Sequence, residues 1–130
     1  MKVKRLHHVG IAVADLAAAH EVLSGKLQLP VVRDFTASNG NVARFYGVGD
    51  GEFEVVQYPL AEAPKRLEGA PARIDHIAVE IDDLDATKAA LDALGIGTIR
   101  QSAPTGESVR TDKVTSAGIA IQFIKPAARG

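Results

Sequence analysis

Residues 8–16, H-V-G-I-A-V-A-D-L, lie over residues 76–84, H-I-A-V-E-I-D-D-L, at an offset of 68. His8 falls on His76, Asp15 on Asp83 and Leu16 on Leu84. The offset continues without a gap: Leu23 meets Leu91, and F-E-V-V at 53–56 meets I-Q-F-I at 121–124. One offset that holds at both ends of a stretch about half the chain long marks a duplicated module. No single motif constrains the fold as much, because each copy must form the same elements and bury the same face.

The opening segment of each copy alternates. Over about 5–13, His8, Gly10 and Ala12 share one face and Val9, Ile11 and Val13 the other. Over about 74–81, His76, Ala78 and Glu80 oppose Ile77, Val79 and Ile81. Period-two alternation predicts strands whose β-branched faces need an apolar cover. The helix after each strand supplies it, opening at Asp15 or Asp83, whose carboxylate can accept from first-turn amides. In the second copy Leu84, Leu91 and Leu94 fall near one helical face, with Gly95 as a left-handed stop. In the first, Leu16, Val22, Leu23 and Leu27 do the same before Pro30.

Shorter strands are expected at about 31–37, 41–48 and 52–58, then at about 97–101, 108–114 and 119–125. Ser38-Asn39-Gly40, Gly49-Asp50-Gly51 and Thr105-Gly106 supply the turns. The expectation is one α+β domain over 1–130, with tandem βαβββ modules at about 5–58 and 74–125. Residues 59–73, with Pro59, Pro64 and Pro71, read as a linker, and P-A-A-R-G at the end as a loose tail.

Charge and composition exclude several roles. Fifteen basic and sixteen acidic residues leave a net charge of −1 and no basic stripe, which argues against nucleic acid as a partner. No apolar run approaches the roughly 20 residues of a membrane span. The basic start M-K-V-K-R-L-H-H-V-G has no signal-like apolar stretch after it, so a cytoplasmic location is expected. Cysteine is absent, so a metal here must be held by histidine and oxygen.

Alternation also selects the candidate ligands. Phe53 and Val55 face the helix, leaving Glu54 on the face of His8; Ile121 and Phe123 do likewise, leaving Gln122 on the face of His76. Alone, a strand histidine is more often a hydrogen-bonded edge residue than a ligand, and a lone Glu or Gln a wet-face residue. A histidine pair and a Glu/Gln pair at one offset shift the reading toward a metal site. Two such sheets paired about a pseudo-twofold axis would bring all four into one cleft. His7 has the opposite parity to His8, and His20 sits on the helix; both are assigned packing or surface roles.

The segments H-V-G-I-A-V-A-D-L, F-E-V-V, D-H-I-A-V-E-I-D-D-L and I-Q-F-I resemble the vicinal oxygen chelate superfamily. It includes glyoxalase I, methylmalonyl-CoA epimerase, extradiol dioxygenases and fosfomycin or bleomycin resistance proteins. The likeness covers nearly the whole chain and implies paired βαβββ modules forming a cupped mixed sheet around a divalent-metal cleft. The family's ligand positions fall on His8, Glu54, His76 and Gln122, a set that resembles the glyoxalase and epimerase branches. A homodimer is the expected assembly.

Imidazole, carboxylate and amide oxygen suit Mn, Co, Ni, Zn or Mg, and one carboxylate leaves the site near +1. Proton abstraction beside a carbonyl, with the enolate stabilised by the metal, is the reaction class expected. The substrate would be an acyl thioester or a hemithioacetal. Glu54 is the candidate base, since Gln122 does not titrate; Glu80 is a second candidate carboxylate, its alternative reading a rim charge. The module openings most resemble methylmalonyl-CoA epimerase. However, a base glutamate of that branch falls on or near Ser38, and its stretch rich in His, Pro, Lys and Gly is replaced by V-R-T-D-K-V-T-S-A-G. A glyoxalase-I-like lyase, or a lyase or isomerase of secondary metabolism, is therefore the alternative. A metal-free drug-binding protein is a further one, weakened by 5% aromatic content and no Trp. Lys65, Arg66 and Arg73 are candidates for contact with CoA phosphates, their alternative being solvated linker charges.

Overall fold

The computed structural model describes residues 1–103 and 106–127, in two compact units. One unit is residues 8–75; the other is residues 1–7 with residue 76 onward. The order β-α-β-β-β occurs twice, so the class is α+β, as the alternation and the repeat imply.

The first unit takes β1 (Arg5–Val13) from His8 onward, then α1 (Leu16–His20), β2 (Val31–Thr36), β3 (Val42–Val48) and β4 (Gly51–Gln57). Its strand order is β2-β3-β4-β1, with β1 parallel to β4 and the other pairs antiparallel. Ile11, Val13, Phe53 and Val55 join Leu16, Leu23 and Tyr46 in the helix-side core, as their parity requires. Asp15 caps α1 by accepting from the amides of Ala17 and Ala18 at 3.0 and 3.2 Å. The Leu16 amide donates to the Gln57 side chain at 2.7 Å, tying the helix start to the end of β4.

After His20 the helix widens into a π-helical turn over Glu21–Lys26. The extra residue per turn rotates the later side chains about the axis, so the four-residue apolar stripe expected there does not hold. Leu16 and Leu23 pack inward, whereas Val22 and Leu27 are 45% and 60% exposed. Residues 59–73 are more ordered than a plain linker: they carry α2 (Ala63–Leu67), with Leu67 buried, and the start of β5 (Ala72–Glu80).

The second unit takes β5 from His76, then α3 (Leu84–Ala93), β6 (Thr98–Ala103), β7 (Gly106–Thr111) and β8 (Ile121–Pro126). Its order is β5-β8-β7-β6, with β5 parallel to β8. Ile81, Leu84, Leu91, Val109 and Phe123 form its core, with Val79, Ile96 and Ile121 packed against them. Asp83 caps α3 through the Ala86 amide at 3.0 Å, and Gly95 ends it at φ +77°. Leu94, expected on the buried face, is 68% exposed just beyond the last helical turn.

The strand expected at 108–114 stops at Thr111, because Asp112 turns the chain by accepting from the Val114 amide at 2.9 Å. Thr105 of the expected turn and residues 128–130 of the expected tail lie outside the described residues, while Pro126 belongs to β8. No described helix is long and apolar enough to cross a membrane.

Leu91 tests the second core. It is 2% exposed and packed in the cluster of Ile81, Leu84, Val109 and Phe123, so Leu91→Ala is expected to destabilise by about 2–5 kcal/mol. Urea unfolding measures this; a loss below about 1 kcal/mol would mean that α3 does not close that core.

Candidate metal centre

Each unit presents one histidine and one oxygen-bearing side chain in the same local arrangement. In the first, β1 and β4 run parallel with Gly10 opposite Glu54, two residues beyond His8. In the second, β5 and β8 run parallel with Ala78 opposite Gln122, two residues beyond His76. The faces are those left over after the helix-side residues pack, so His8 with Glu54, and His76 with Gln122, project from the face turned away from the helix in each unit. Gly10 and Ala78 place little or no side chain opposite the Glu and the Gln.

Both histidines are 4% exposed, a degree of burial that fixes their rings. His8 Nε2 stands 4.0 Å from a carboxylate oxygen of Glu54, too far for a hydrogen bond and close enough for both to reach one ion. In the second unit the Gln122 amide nitrogen donates to the buried Ser108 hydroxyl at 2.9 Å. That bond orients the amide and reserves its oxygen as the acceptor. The donor set of each unit therefore suits a borderline or hard divalent ion.

Glu80 lies on the face of His76, and its carboxylate accepts from Arg5 Nε at 3.1 Å. Lys4 is near as well: its hydrogen bond to Asp82, helped by the charge of Glu80, raises the ammonium pKa above its usual value. Ser38, where a base glutamate of the epimerase branch would fall, sits exposed in the turn between β2 and β3. Arg66 pairs with Asp75 at 3.4 Å and lies over the Tyr58 ring, and Arg73 pairs with Glu68. Lys65 is exposed. His20 shares a 2.8 Å hydrogen bond with the Tyr46 hydroxyl on the helix side, in keeping with a packing role.

Sequence reasoning missed three residues on these faces. Ser108 holds Gln122, and Arg110 stands opposite Gln122 on β7. On the other unit, Arg33 clamps Glu52. Extending the alternation rule to β7 would have found the first two; the clamp joins residues 19 apart across two strands and has no local signal.

The sequence profile of the Glyoxalase/Bleomycin resistance protein/Dioxygenase superfamily matches residues 7–112, and the chain belongs to that superfamily. Among solved structures, it is similar to methylmalonyl-CoA epimerase from Mycobacterium tuberculosis, with 25% identity and a TM-score of 0.86 over 97% of this chain and 90% of that one. A variant of Streptomyces coelicolor methylmalonyl-CoA epimerase bound to 2-nitronate-propionyl-CoA shares 20% identity, with a TM-score of 0.80 over 98% of this chain and 100% of that one. A Bacillus halodurans protein described as hypothetical shares 19%, with a TM-score of 0.85 over 97% and 96%. No curated protein matches the sequence.

Proposed function

We propose that this chain is a divalent-metal-dependent isomerase that removes a proton beside the carbonyl of an acyl thioester, as an epimerase of the methylmalonyl-CoA type does. The observation that carries the reading is the repeated register, His8 to Gly10 opposite Glu54 and His76 to Ala78 opposite Gln122. His8, Glu54, His76 and Gln122 would together hold one ion of Mn, Co, Ni, Zn or Mg. Such an ion, when bound, supplies Lewis acidity that lowers the cost of negative charge on a carbonyl oxygen.

The chain's own residues divide the remaining work. The two buried histidines are held in place and exclude water. Gln122, fixed by Ser108, contributes an oxygen that neither gains nor loses a proton. Glu54 is partly exposed and the one carboxylate of the four, so it takes the proton from the carbon acid onto a carboxylate oxygen. Glu80, engaged with Arg5, is the lesser candidate for that role. Arg110 beside Gln122 adds positive charge suited to an anionic acyl group. A homodimer in the cytoplasm is part of the same proposal.

A second reading rests on a specific feature. An epimerase needs a proton donor on each side of the planar carbanion, and Ser38 and Gln122 leave Glu54 as the clearest single base. A glyoxalase-I-like lyase acting on a hemithioacetal needs only one mobile base. Deuterium uptake at the α-carbon separates the two. Acyl-CoAs that exchange and lose stereochemical purity support the epimerase; hemithioacetals that turn over to thioester support the lyase. A protein that does neither and binds no metal fits the metal-free binding role instead.

A further inference from the structure

We infer that Arg33 is a positioning residue that keeps a second carboxylate, Glu52, away from the metal ligand His8; this rests on the metal reading proposed above. Glu52 lies directly opposite His8 on the parallel β1–β4 ladder and shares its face with Glu54. Neighbouring strands are about 4.8 Å apart, so a glutamate there has the reach to join an ion held by His8.

In this structure its carboxylate is turned the other way. Both oxygens accept from Arg33, Nη1 to Oε2 at 2.9 Å and Nη2 to Oε1 at 2.7 Å. The guanidinium lies 4.0 Å over the ring of Phe45, which is 3% exposed and stands on β3 opposite Glu54. A register shift in β2 between Val31 and Arg33 sets the arginine beside Phe45. Glu52 is thus held on the β3 side of β4, whereas His8 stands on the β1 side.

The duplication does not account for this clamp. At the same offset, Ile121 and Gln122 match Phe53 and Glu54, and Glu52 is matched by Ala120. Only one module carries the extra carboxylate, and the same module carries the arginine that restrains it. The consequence is chemical. A second glutamate on the ion would cancel its remaining positive charge, bind it more tightly and weaken it as a Lewis acid. A bidentate guanidinium stacked on a buried ring is rigid enough to prevent this, and a lysine's point charge is not.

The test is Mn²⁺ titration calorimetry on the full chain, comparing wild type, Arg33→Met, Glu52→Gln and the double variant. Arg33→Met is expected to tighten Mn²⁺ binding on the order of tenfold. Adding Glu52→Gln should abolish that gain, and Glu52→Gln alone should change affinity by less than about twofold. A folded Arg33→Met with unchanged or weaker affinity overturns the inference, as does a gain that survives Glu52→Gln. Should Arg33→Met not fold, a loss of about tenfold or more in Glu52→Gln alone overturns it, because Glu52 would already act on the ion. Wild type that binds no Mn²⁺ removes the metal reading itself, an outcome distinct from the others.

Discussion

Glu54→Gln is expected to lower α-proton exchange by on the order of 10²–10⁴-fold while the protein still binds its ion. The substitution keeps an oxygen of nearly the same shape in place and removes the ability to carry a proton. Gln122 already shows that an amide is accommodated at the matching position of the other unit, across from Ala78 as Glu54 is across from Gly10. Metal affinity should weaken, since a neutral ligand replaces an anionic one, but the ion should be restored by saturating Mn²⁺. Exchange measured by mass spectrometry under that saturation isolates the proton-transfer role. If exchange persists at the wild-type rate, Glu54 is not the base, and Glu80 becomes the carboxylate to replace next.

His76→Ala is expected to reduce bound divalent metal from about one ion per chain to nearly none, with an equal effect from His8→Ala. The equality is the sharper part of the expectation. Both histidines are buried to 4% exposure, and they hold matching places, two residues before Gly10 opposite Glu54 and Ala78 opposite Gln122. A histidine that served only as a packing residue would leave elemental analysis unchanged when removed. Loss of metal on replacing one histidine but not the other would mean that the two units do not share a site. Circular dichroism and a thermal melt on each variant separate loss of a ligand from loss of the fold.

Much of the architecture could be read from the chain because two periodicities agreed. The alternation that put Phe53 and Val55 on one face and Glu54 on the other also put Ile121 and Phe123 opposite Gln122, and all four apolar residues pack on the helix side. Asp15 and Asp83 cap where a short acidic side chain before an apolar run says they should. What could not be read depends on geometry beyond the local pattern. A helix that widens after His20 carries Leu27 out to solvent, though it fits an ideal 3.6-residue stripe with Leu16 and Leu23. Val22, six residues after Leu16, lies about 120° off that stripe even in a regular helix. Leu94 fails for a simpler reason: the chain has already turned toward Gly95.

The candidate ligands could be picked out through the repeat, whereas the partners of Gln122 and of the neighbouring Glu52 could not. Ser108 reaches Gln122 across a ladder fixed only once β7 and β8 are paired. Arg33 reaches Glu52 across an intervening strand, helped by a register shift that no composition rule predicts. The local pattern thus pointed to the candidate ligands, and the tertiary pairing to the bonds that hold Gln122 and Glu52.

In the proposed reaction, a protein-held divalent ion and Glu54 together move a proton beside a carbonyl. The decisive experiment is α-deuterium uptake by methylmalonyl-CoA in D₂O, with the protein as purified, stripped by chelator, and reloaded with Mn²⁺ or Co²⁺. Exchange should disappear on stripping and return on reloading. An equal rate in the stripped protein would mean that the ion takes no part, and the proposed mechanism would fail.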